Sequence, residues 1–111
     1  MVKKISIIIP CYNEEKTIKE LIQIVFEAYP KNKEIIIVDD CSTDNSSKII
    51  LKLKKKYKFK FFQHKKNMGK GAAIQTASKR LSGKIVIIQD ADLEYHPKEY
   101  KKILSVFKSN K

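Results

Sequence analysis

The chain has 111 residues, enough for one domain that buries roughly 65% of its unfolded surface. Its 42% hydrophobic and 32% charged residues are ordinary for a globular protein, but its net charge of +12 is not. A surface for nucleic acid or anionic headgroups would suit that charge, yet all but one of the 24 basic residues are lysine, Arg80 being the exception. Phosphate and base recognition usually recruits arginine forks. The excess is therefore read as compositional bias, and nucleic acid is not expected as a partner.

The first predicted strand, residues 5–10, is a continuous apolar run. The helix after it carries Ile18, Leu21, Ile22, Val25, Phe26 and Tyr29 at three- and four-residue steps. Asn13 is its expected cap, with Glu14 and Glu15 suited to the positive helix start. A second apolar strand, 34–39, runs into Asp39-Asp40. The second helix is expected near Ser42-Thr43-Asp44 and buries Ile49, Ile50 and Leu53. One aspartate of the pair would cap that helix while the other faces a ligand. The third strand, 59–64, alternates with lysine and is expected at a sheet edge.

Asn67-Met68-Gly69-Lys70-Gly71 then precedes a helix that starts near Gly71, buries Ala73, Ile74, Ala77 and Leu81, and stops at a left-handed Gly83. The glycines fit neither the Walker nor the dinucleotide fingerprint. Lys70 is the residue there best able to reach a phosphate. The fourth strand, 84–89, delivers Asp90 and Asp92, and a fourth helix is expected from Pro97, with Tyr100, Ile103, Leu104 and Phe107. Cys11 and Cys41 fit no zinc spacing and read as free thiols. Nor do His64 and His96 have metal-type spacing. With no apolar run of membrane-spanning or signal-peptide length, a cytoplasmic protein is expected, at most peripheral to a membrane.

Alternating strands and helices with short connections mean an α/β fold, a mostly parallel sheet with helices on both faces. Ligands of such sheets collect beyond the carboxyl ends of the strands. Pro10 to Glu14, Asp39-Asp40 and Asp90-Ala91-Asp92 all fall on that rim. Two carboxylates two residues apart at a strand end suit one hard cation, Mg²⁺ or Mn²⁺. Tyr12 is placed to stack a base.

Together, SIIIPCYNEEKTI, EIIIVDDCSTDNS, HKKNMGKGAAIQTA and KIVIIQDADLEYHP resemble the family 2 glycosyltransferases of the GT-A fold, in matching order and spacing across essentially the whole chain. The NxGKGAA and QDADLE patterns are similar to those of the polyprenyl-phosphate (dolichyl-phosphate) mannosyl- or glucosyltransferases. The resemblance implies that Pro10, Tyr12 and Glu14, with Asn13 among them, line a nucleotide-sugar pocket. Val38 and Asp40 would contact base or ribose, and Lys70 would face phosphate. Asp90, Ala91 and Asp92 would form a DxD element, with Asp92, the catalytic candidate, holding the cation to the diphosphate and Glu94 as a further metal-side residue. Cys41 stands where glycine is frequent, which implies a backbone without positive φ there.

On this reading a cation neutralises the departing nucleoside diphosphate while an acceptor oxygen displaces it with inversion. A polyprenyl phosphate acceptor is already ionised near neutral pH, which relaxes the need for a general base. Family members continue into an acceptor-binding half, so residues 1–111 are expected to be the nucleotide-sugar half with the acceptor half absent. That predicts little transfer by the chain alone and a homo-oligomer through an exposed fourth-strand edge. The alternative is a non-catalytic nucleotide-sugar-binding module. A phosphoacceptor receiver domain would want its acidic pair after the first strand, not the second.

Overall fold

The computed structural model describes residues 4–28 and 32–91. Four strands, β1 (Ile5–Cys11), β2 (Lys33–Asp39), β3 (Lys60–Gln63) and β4 (Ile85–Ile88), alternate with α1 (Ile18–Glu27), α2 (Ser46–Leu53) and α3 (Lys70–Ser78). All pairings are parallel, and the sheet order is β3-β2-β1-β4. This is the α/β architecture expected from the sequence, with β3 at one edge. Tyr29, Asp92, Glu94, His96 and the helix expected from Pro97 lie outside the described residues.

The two central strands are isoleucine-rich because both faces are covered. On one face Ile5, Ile7, Ile9, Ile35 and Ile37 meet Ile18, Leu21, Ile22 and Val25 of α1 and Ile50 and Leu53 of α2. On the other, Ile8, Ile36 and Val38 meet Ala73 and Ala77 of α3. Small alanines bring α3 close to the sheet. α3 does not extend over β4, so Val86 and Ile88 stand 43% and 42% exposed while Ile85 and Ile87 are buried. Phe26, at the margin of the α1 stripe, rests its ring against Tyr57 at 4.9 Å between centroids.

At the amino-terminal end of the α3 face the core turns polar. Glu34 is buried and accepts hydrogen bonds from Ser6 Oγ (2.6 Å), Ser82 N (2.9 Å) and Lys60 Nζ (2.7 Å). Burial by itself would raise its pKa, but Lys60, Ser6 and Ser82 together hold it down to about 2.

Three local expectations are corrected. α1 begins after Thr17, not at Asn13, whose φ of 53° is outside the range of a helix cap. α3 ends at Ser78 with Lys79 in a right-handed conformation, so Gly83 is not its cap. Gly83 is required by crowding instead: a Cβ there would lie 2.8 Å from Ser6 N and 2.9 Å from the Ile5 carbonyl carbon. Finally, α2 starts at Ser46, four residues beyond Ser42, because Ser42 is held back by Asp39.

Candidate functional site

Because the strands are parallel, β1, β2 and β4 end on one edge, with Cys11 beside Asp39 and Ile8 beside Ile88. A cavity of about 260 Å³ opens there, lined by Pro10, Cys11, Tyr12, Glu14, Asp40, Lys70, Ala73, Asp90 and Ala91. The structure thus brings together Pro10, Tyr12, Glu14, Asp40, Lys70, Asp90 and Ala91 from the residues predicted in the sequence. Asn13 and Val38 do not line the cavity. Val38 is fully buried against α3, and Asp92 and Glu94 lie outside the described residues.

Two rim loops are clasped together by side chains reaching for backbone amides. Asn13 Oδ1 accepts from Thr43 N at 2.7 Å and Asp44 N at 3.2 Å, while Asn13 N donates to Ser42 Oγ at 2.9 Å. Glu14 N donates to Ser46 Oγ (2.8 Å), and Glu15 N to Asp44 (3.2 Å). Asn13 therefore caps the loop before α2, and asparagine tolerates the left-handed backbone this needs. Burial would raise the Asp44 pKa, but hydrogen bonds from Ser46 and Glu15 lower it overall. Thr17 Oγ1 donates to Ala91 O at 2.6 Å, joining the start of α1 to the end of β4.

The acidic pair divides its work. Asp39 accepts from Ser42 N (3.0 Å) and Ser42 Oγ (2.5 Å) and so holds the loop after β2; contrary to the expectation, neither aspartate caps α2, which begins four residues beyond Ser42, behind Asn45. Asp40 is 4% exposed, and its carboxylate accepts from Met68 N and Gly69 N, each at 2.8 Å, with His64 Nδ1 also at 2.8 Å. Burial would raise its pKa; His64, Met68 and Gly69 lower it overall, so it stays ionised. Between Asp40 and Ser42 the chain turns at Cys41 with φ 62°, contrary to the expectation that a non-glycine residue marks a backbone without positive φ.

Lys70 opens α3 after Gly69, whose φ of 95° suits glycine. Its ammonium pairs with the Asp90 carboxylate across the cavity mouth. Both side chains are well exposed, so this pair adds little to stability. Tyr12 is 44% exposed, leaving a ring face available for stacking.

Cys11 and Ala73 were missed in the sequence. Cys11 sits between two recognised rim residues, which was a usable signal; Ala73 shares a helix face with Lys70. Burial, then the nearby Asp39 charge, push the Cys11 thiol up to about 12, which removes it as a nucleophile.

Among the described residues no three His, Cys, Asp or Glu side chains converge on one point as a metal cage. The donor chemistry nevertheless fits a hard cation. Asp90 is an oxygen ligand at the cavity, and the cation already against it is the Lys70 ammonium.

Comparison with known proteins agrees with this layout. The chain is 34% identical over 107 residues to a dolichol-phosphate mannosyltransferase of Pyrococcus furiosus, covering 96% of this chain and 30% of that protein. It is 38% identical over 91 residues to a poly-beta-1,6-N-acetyl-D-glucosamine synthase of Staphylococcus epidermidis, covering 82% and 22%. Its structure superposes with a TM-score of 0.77 on the mannosyltransferase PcManGT of Pyrobaculum calidifontis, solved with GDP-Man and Mn²⁺, at 29% identity, covering 83% of this chain and 28% of that one. The chain thus spans less than a third of each of these proteins. The sequence model of Glycosyl transferase family 2 matches residues 6–111, and by sequence, strand order and rim the chain belongs to that family.

Proposed function

We propose that the rim cavity binds a nucleotide-diphosphate sugar and that the chain serves transfer of that sugar to an acceptor. The observation that carries this reading is the convergence of Tyr12, Glu14, Asp40, Lys70 and Asp90 from four separate segments on one cleft at the carboxyl ends of the strands. Tyr12 offers a face to the base, Lys70 and the start of α3 face the diphosphate, and Asp90 stands where phosphate-bound cation would be held. Asp90, with Asp92 and Glu94, would hold Mg²⁺ or Mn²⁺, which as a Lewis acid neutralises charge on a departing diphosphate. The Mn²⁺ and GDP-Man of the mannosyltransferase support this assignment.

The acceptor proposed is a polyprenyl phosphate or a glycan, as the names of the two relatives suggest, with inversion at the anomeric carbon. No helix among the described residues is long and apolar enough to cross a membrane. We place the chain in the cytoplasm, reaching a lipid acceptor from the membrane surface. The exposed Val86 and Ile88 on β4 support pairing with a second copy; a monomer by light scattering at high concentration would refute that part.

Calorimetry with UDP, GDP and their sugar conjugates, with and without Mn²⁺, tests the main reading. Binding that needs the metal and is lost in Asp92→Ala is expected. No binding of any of these ligands refutes the nucleotide-sugar site; binding indifferent to chelator and to Asp92→Ala refutes the metal role.

A further inference from the structure

His64 opens the HKKNMGKGAAIQTA segment without a role of its own in the sequence reading, yet it lies at the junction of three elements behind the cavity. It follows the end of β3, and its ring is buried, with 8% of the side chain exposed. Nδ1 stands 2.8 Å from Asp40 Oδ1 just after β2, and Nε2 stands 2.8 Å from Thr76 Oγ1 in the last turn of α3. Nδ1 donates to the Asp40 carboxylate, and Nε2 is hydrogen-bonded to the Thr76 hydroxyl. The imidazole is thus held at both ends and cannot rotate without breaking a buried hydrogen bond.

The carboxylate it orients has a further task. Asp40 Oδ1 also accepts from Met68 N, and Oδ2 accepts from Gly69 N. These two amides immediately precede Lys70, the first residue of α3 and the cation that faces Asp90. Rotation of the Asp40 carboxylate would release both amides, and the 65–70 segment has few other anchors: Asn67 Nδ2 reaches Asp40 O only at 3.5 Å. The geometry points to His64 as a positioning residue of the nucleotide-sugar site, fixing Asp40 so that Asp40 fixes the Met68–Gly69 backbone and the start of α3 against the cavity. This also redefines Asp40: its carboxylate serves the loop from within. The inference rests on the nucleotide-sugar reading of the cavity.

The test combines ligand affinity with a local structural readout in His64→Ala, His64→Asn and Thr76→Val. UDP and GDP are titrated calorimetrically in the presence of Mn²⁺, and amide hydrogen exchange is followed at Met68 and Gly69. His64→Ala is expected to weaken nucleotide binding about ten-fold and to accelerate exchange at both amides, as loss of a hydrogen bond to a buried charge implies. His64→Asn, which keeps a donor near Nδ1, is expected to recover most of both effects. Thr76→Val removes only the outer partner and should weaken binding roughly three-fold; it keeps the question answerable if His64→Ala does not fold. A lowered melting temperature with unchanged affinity and unchanged exchange would make His64 a packing residue only and overturn the inference. Should the unmodified chain bind neither UDP nor GDP, the nucleotide-sugar reading falls first and the positioning role falls with it, an outcome distinct from binding that the variants leave untouched.

Discussion

Replacing Glu34 with glutamine removes one charge from the polar end of the core at almost constant shape. The glutamine Oε1 can still accept from Ser6 and Ser82, but its amide nitrogen faces the Lys60 ammonium, which is 50% exposed and can swing into water. The Glu34 pKa lies at about 2 in the folded chain against 4.5 for an unperturbed glutamate. That difference corresponds to about 3 kcal/mol favouring the folded state at neutral pH. A cost of about 2–3 kcal/mol for Glu34→Gln follows, or a midpoint about 10 °C lower for a domain of this size. The sign with pH is fixed by the depressed pKa. The contribution is complete above about pH 5 and is lost as pH falls through about 2, so wild type and variant should converge in acid. The chain has no tryptophan, so urea unfolding is best followed by helical circular dichroism between pH 7 and pH 2.5. A difference in stability that stays constant over that range would refute the argument, because it would mean that Glu34 owes nothing to its charge.

Gly83→Ala should cost about 1–3 kcal/mol in the same unfolding assay, since the new methyl would press on the β1 backbone at Ser6 and Ile5. A neutral effect would mean the approach relaxes freely. Cys41, partly exposed, should react with a thiol reagent at pH 8 in the native protein, while Cys11, 2% exposed and with its pKa near 12, should react only after denaturation; equal native rates by mass spectrometry would contradict this. Asn13→Gly keeps the left-handed backbone but removes the bonds to Thr43 and Asp44, and is expected to destabilise by about 1–2 kcal/mol and to speed amide exchange in residues 42–45. Unchanged exchange there would deny the clasp.

What depends on local pattern was legible in the sequence. Continuous isoleucine runs marked β1 and β2 as covered on both faces, the lysine alternation of β3 marked an edge, and the acidic strand ends marked the rim. What depends on contacts distant in sequence was not. Asn13 looked like a helix cap because its partners, thirty residues away, leave no trace in periodicity. Gly83 looked like a helix stop because its crowding comes from Ser6, 77 residues earlier. Val38 reads as a pocket residue by motif, yet strand alternation turns it toward Ala73 and Ala77. Asp40 is placed at the cavity as expected, but its oxygens are engaged by backbone amides that no spacing rule would connect to it.

The clasp between the loop after β1 and the loop after β2 has a consequence for how ligand preference could be inherited or engineered. Segments 12–15 and 42–46 are separate in the gene but form one hydrogen-bonded body in space, each supplying acceptors for the other's amides. Grafting one of them from a relative would strand backbone amides on its unaltered counterpart, whereas exchanging both would transplant the rim intact. Libraries that aim to change what this cleft accepts should therefore randomise the two stretches jointly, with position 13 and positions 42 to 44 varied as one unit.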